Sequence, residues 1–125
     1  MAKEPLHKVF GTPLSQWVAS MPTELAIDAV GMWQIIPVGR FDFGLEGGQL
    51  DEFVRLCLCS LLEKGAKPVK GSADGAYYWQ VQHQYGNHND EIVNAIINEW
   101  VASGRGDPSA DGLWFALPHI YQAKR

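Results

Sequence analysis

The stretch QLDEFVRLCLCSLLEK, residues 49–64, limits most narrowly what this chain can become. Leu50, Phe53, Val54, Cys57, Leu58, Leu61 and Leu62 recur at helical spacing as an uninterrupted apolar stripe. Asp51 and Glu52 suit the positive N-terminal end of a helix, and Lys64 suits the other end. Gly65 is a natural residue just past its C-terminus. A stripe this wide has to be buried, so the rest of the chain must supply surfaces to cover it.

One domain is expected over residues 1–125, because a single core serves about 100–200 residues. Hydrophobic residues make up 46% and charged residues 19% of the chain, a globular balance rather than a disordered one. Five Trp, five Phe and four Tyr supply enough core material that folding calls for no metal, disulfide or cofactor. No apolar run approaches the ~20 residues that cross a bilayer, and the start, MAKEPLHKVFGTPL, has no secretory h-region. Cys57 and Cys59 stand two apart on the predicted helix, a spacing that suits neither a disulfide nor a shared metal. They read as buried thiols of a cytoplasmic protein.

A coarse reading along the chain gives an α+β fold: three to four helices packed on a small, mainly antiparallel sheet. Residues 1–11 read as a partly ordered N-terminal arm, flexible in part. Thr12-Pro13 predicts a helix start carrying Leu14, Trp17, Val18 and Met21, and Pro22 ends or kinks it. A second helix is expected from Pro22 to Ile36, with Leu25, Ala29, Met32, Trp33 and Ile36 on one face. Gly31 weakens it by about 1 kcal/mol relative to Ala, and Met32–Ile36 reads as a strand in the alternative. Pro37 and Gly39 stop either one, and Phe41 and Phe43 allow a short strand in the connection 37–48.

A hairpin is expected at about 67–85, turning through the tetrapeptide SADG. In its second strand Tyr77, Trp79, Val81, His83 and Tyr85 should face the core, and Tyr78, Gln80, Gln82 and Gln84 the solvent. A helix follows from about Asp90 to Ser103, capped by Asn89, with Ile92, Ile96, Ile97 and Trp100 inward. A last strand at about 113–117, LWFAL, should be buried on both faces.

Charge divides unevenly along the chain. Residues 71–123 carry a net charge of −5 of the total −4, the rest of the chain nearly cancelling. An acidic half is a poor partner for nucleic acid, whose binding needs phosphate neutralisation, and it favours a basic protein instead. No GxSxG, HExxH, Cys/His zinc spacing or phosphate loop occurs. The glycine-rich run 37–48 lacks the Lys-Ser/Thr ending that a phosphate loop needs. The densest polar cluster joins His83, His88 and Asp90, where a histidine base oriented by Asp90 would suit a small enzyme or ligand-binding protein. His88 and Asn89 have a sufficient local explanation as turn and cap. RGD at 105–107 reads as a chance string without an extracellular setting.

The features left over are interfacial. Tyr78, Gln80, Gln82 and Gln84, with the acids Asp74, Asp107 and Asp111, form the candidate partner-binding set, since aromatic anchors and opposite charge favour association. With 125 residues, no catalytic motif and an acidic half beside exposed aromatic and amide groups, the chain resembles at class level the small acidic immunity proteins that bacteria encode beside secreted toxins. GAKPV at 65–69 and GLWFALP at 112–118 have the look of small bacterial proteins. That resemblance implies a cytoplasmic protein that neutralises a cognate toxin, such as a basic nuclease domain, by direct binding and without turnover. It carries over no functional residue. A structural subunit of a phage or secretion assembly, with self-association, is the remaining expectation.

Overall fold

The computed structural model describes residues 4–73 and 75–125. As the stripe predicts, Gly47–Glu63 forms one long helix, α3, with all seven apolar stripe residues buried. Gly65 follows it at φ +97°, a left-handed conformation that costs glycine little and other residues much. Helix α4, Asn89–Ala102, packs along α3 and buries Ile92, Val93, Ile96, Ile97 and Trp100. Its first residue is Asn89 itself, and His88 occupies the capping position, its N–H donating to Glu91 Oε1 at 3.2 Å. The Asn89 cap is thus displaced by one residue.

The α+β expectation holds, with a four-stranded antiparallel sheet. Strand β1 is Val30–Gly31, β2 Lys67–Gly71, β3 Trp79–Val81 and β4 Trp114–Ala116. Their spatial order is β1-β4-β2-β3, so β4 pairs on both sides: Phe115 lies opposite Val30 and Pro68, and Trp114 opposite Gly31 and Val69. The hairpin pairs Val69 with Val81, Lys70 with Gln80 and Gly71 with Trp79. Its second strand is shorter than expected, because His83–Tyr85 winds into a 3₁₀ turn.

The expected helix 22–36 does not form as one piece. Helix α1, Leu14–Ser20, runs into a 3₁₀ turn at Met21–Ala26, and the chain then breaks into β1. Asp28 Oδ1 accepts the Ala29 N–H at 2.7 Å, a local bond that competes with helix. Pairing of β1 with β4 supplies what the helix would have supplied. Gly31, read as a weak helical residue, is needed for another reason: a Cβ there would lie 2.6 Å from Trp33 Cδ1.

Helix α2, Met32–Pro37, then starts, with the Gly31 N–H donating to Gln34 Oε1 at 2.8 Å. The α-helix ends at Pro37, as expected, but the winding does not, and Gly39 lies inside the turn that follows. Pro37 has no N–H for the ladder, and beyond it the chain widens into a π turn over Val38–Asp42, closed by Phe43 N–H to Val38 O at 3.0 Å. The short strand at Phe41–Phe43 is therefore absent. Gly39 lies against Phe53, where a Cβ would come within 2.5 Å of the ring.

Two apolar clusters hold the molecule. The larger joins α2, α3 and α4 to one sheet face through Val30 and Phe115. The smaller lies on the other face, where Ala29, Val69 and Ala116 are covered by Trp79, Val81, Trp114, Ile120 and Tyr121. The last two belong to α5, Pro118–Tyr121. Strand β4 thus buries side chains on both faces, as its apolar run predicts. Described residues 4–13 fold back on the body: Leu6 bridges Pro13, Lys8 N–H donates to Asp42 O, and buried His7 accepts the Val9 and Phe10 N–H groups on Nδ1. No described helix is long and apolar enough to cross a membrane.

Candidate protein-binding site

Tyr78 is 50% exposed and stands on a backbone held from both sides. Its carbonyl accepts the Ser72 N–H at 2.8 Å, and its N–H donates to Ala123 O at 3.4 Å. The chain end closes the arrangement, with Arg125 N–H donating to Ala76 O at 2.8 Å and the guanidinium bonding to Ser72 O. That guanidinium carbon lies 5.0 Å from the centre of the Tyr78 ring, within cation–π range. Tyr77 is also exposed, although the alternation placed it inward.

The glutamines form a hydrogen-bonded row: Gln82 Nε2 donates to Gln80 O at 3.0 Å, and Gln84 Nε2 donates to Gln82 Oε1 at 3.2 Å. Gln80 and Gln84 are exposed and Gln82 is half-buried. Only Gln80 lies within β3, exposed as expected; Gln82 and Gln84 follow the strand. Gln80 pairs with Lys70 on the side that carries the helices elsewhere, whereas Trp79 and Val81 lie on the opposite face, in the smaller cluster. Trp79 and Val81 are thus covered and Gln80 exposed, as the alternation predicts, although the cover comes from the smaller cluster rather than from the helix-packed core.

Of the expected acids, Asp74 lies outside the described residues. Asp107 is committed to Arg40, which also donates to Arg105 O. Asp111 is exposed in the loop before β4, its N–H donating to Ser109 Oγ at 3.3 Å. Arg105, the first residue of the RGD string, sits at φ +55° and makes a bidentate pair with Asp51 at 2.7 Å per bond. That pair holds the Asp51 carboxyl below its ordinary range, first through the hydrogen bond from Arg105 and then through its charge. Arg40 thus ties Asp107 of the acidic half to the other half, whereas Arg105, the one base in residues 71–123, is taken by Asp51 of the other half; Lys70 and Arg125 border the Tyr78–Gln80 surface.

The 83–90 cluster does not converge. His83 is exposed rather than core-facing and lines a cleft of about 270 Å³ with Gln82, Asn87 and Asn89, over Leu62, Val81 and Ile92. His88 and Asp90 are not in its lining. His88 is exposed, 3.9 Å from Glu91 Oε1. Among the described residues, no group of three His, Cys, Asp or Glu side chains could hold a metal. Tyr85 is buried, and its hydroxyl donates to Glu99 Oε1 at 2.9 Å. Burial first, then that bond and the carboxylate's charge, push its pKa up to about 12. Cys57 is buried and Cys59 half-buried; burial pushes both thiols up, away from the thiolate form a nucleophile needs.

Sequence reasoning missed the tryptophan row. Trp114 meets Trp33 edge-on at 6.0 Å and Trp79 at 5.4 Å, and its indole N–H donates to Ala110 O at 2.7 Å. The available signal was Gly31 two residues before Trp33, a glycine required where an indole lies on the backbone. No family model matches the chain, and neither does any curated protein or solved structure.

Proposed function

We propose that this protein is a non-catalytic protein-binding module, most concretely a bacterial immunity protein that neutralises a cognate basic toxin domain by direct binding. The observation that carries the reading is Tyr78: a half-exposed aromatic on a doubly braced backbone, beside a row of amides that can both donate and accept. Such anchors lose little conformational freedom on binding and are enriched among interface hot spots. Acids that pair with no described base, Asp90 and Asp111 among them, would speed encounter with a basic partner, and that contribution weakens with salt.

The test is affinity capture from the native cell, followed by reconstitution with the purified partner. Tyr78→Ala should raise Kd about tenfold or more, and Gln80→Ala less. An association rate that does not change between low and high salt would remove the electrostatic component. Equal affinity of wild type and Tyr78→Ala would remove the site. A second reading, a small enzyme or ligand-binding protein, is favoured by the cleft beside His83. It requires that His83→Ala abolish a ligand-dependent signal while leaving the fold intact.

A further inference from the structure

The molecule carries a second surface that no sequence pattern announced. Where the N-terminal segment crosses α3, Pro5, Leu14, Leu45, Phe53 and Leu56 line an open groove of about 230 Å³, with Gln49 and Glu52 at its rim. Leu56 is 42% exposed, and Leu6, next to Pro5, is 58% exposed. Gln49, Glu52, Phe53 and Leu56 recur at helical spacing along α3, so the groove has one straight wall.

Carboxylates border it. Glu52 is in the lining, Glu46 adjoins Leu45, and Glu4 adjoins Pro5. The Glu4 carboxylate accepts the Ser15 N–H at 2.6 Å and the Ser15 hydroxyl at 2.9 Å. None of the three forms an ion pair with a described basic residue. An apolar trough edged by carboxylates that pair with no described base is complementary to one kind of occupant. We propose that this groove docks an amphipathic basic helix of a partner protein. A large apolar side chain of that helix enters between Leu45, Phe53 and Leu56, and its Lys or Arg neighbours meet Glu4, Glu46 and Glu52.

The proposal rests on the reading above only in expecting a basic protein partner; it does not use the Tyr78 surface. The probe is a synthetic amphipathic helix with a Leu face and a Lys face, titrated into the full chain by fluorescence anisotropy and two-dimensional NMR. Its Leu/Glu counterpart is the control. Binding of the Leu/Lys peptide should shift resonances of residues 5, 14, 45, 53 and 56. Leu56→Asp, at an exposed position that need not disturb the fold, should weaken it about tenfold or more. Glu52→Lys should weaken it several-fold, and Tyr78→Ala should leave it unchanged. Equal binding of the Leu/Glu peptide, shifts scattered over the surface, or indifference to Leu56→Asp overturns the proposal. So does a concentration-dependent dimer abolished by Leu56→Asp, which would make a second copy the occupant. With a native partner, loss of binding in Tyr78→Ala but not in Leu56→Asp preserves the first reading and overturns this one. The opposite pattern does the reverse.

Discussion

The two faces of the sheet are held by different means. The helix-covered face is sealed: Val30 and Phe115 lie under α2, α3 and α4 with 1% or less of their surface exposed. The other face has three small or branched buried residues, Ala29, Val69 and Ala116, beneath a roof of half-exposed rings. The single strand β4 thus separates a sealed core from an aromatic layer that still touches water. The first resists change because nothing can move; the second tolerates it because the rings end at the surface.

The largest test of that contrast is Phe115→Ala. Removing a fully buried ring from the helix-covered face should cost about 3–5 kcal/mol in denaturant unfolding. A loss no greater than that of a mutation on the opposite face would erase the distinction. Tyr85 tests the same side by pH. Its folded-state pKa of about 12 exceeds the ordinary 10, so its contribution is complete below pH 10 and is lost as pH rises toward 12. Two units correspond to at most about 2–3 kcal/mol. Tyr85→Phe should flatten that part of the alkaline stability profile, and an unchanged profile would show that the hydroxyl is not sealed.

On the aromatic side, Gly31→Ala should cost about 1–3 kcal/mol, since the new methyl displaces the Trp33 indole. Tryptophan emission should shift with it, and an unperturbed spectrum would contradict the packing. Trp33→Ala is the mildest. At 38% exposure the ring forfeits only part of its burial, and a loss of about 1 kcal/mol is expected from thermal unfolding. A loss as large as that of Phe115→Ala would make the roof as structural as the core.

Helices α3 and α4 were legible because their covering stripes repeat within a few residues and need no knowledge of what lies opposite. The segment 21–42 was not. Its apolar spacing suits a helix, but the backbone of Val30–Gly31 is claimed by Trp114 and Phe115, far along the chain. Alternation in β3 gives the right sides for Trp79, Gln80 and Val81 and fails at Tyr77 and His83, outside the paired residues; nothing local reveals that α5 roofs the covered side. Tyr78 was legible as outward-facing, but its bracing by residues 123–125 was not. Charge counted along the sequence makes an acidic half but does not show that Arg40–Asp107 and Arg105–Asp51 join it to the other, one pair using an acid of residues 71–123 and the other their one base. The groove at Pro5 and Leu56 depends on the N-terminal segment crossing a helix some forty-odd residues later, which no periodicity records.

The place of β4 bears on the order in which this molecule can be made. It is the last of the four described strands in sequence and sits between β1 and β2. A nascent chain that has reached α4 can pair only β2 with β3; β1 waits with open hydrogen bonds until residues 114–116 emerge. Closure of the sheet, and with it the sealing of Val30 under the helices, is therefore a late event at the ribosome, governed by contacts of long sequence separation. Until then the tryptophans of the aromatic face have no Trp114 to lean on.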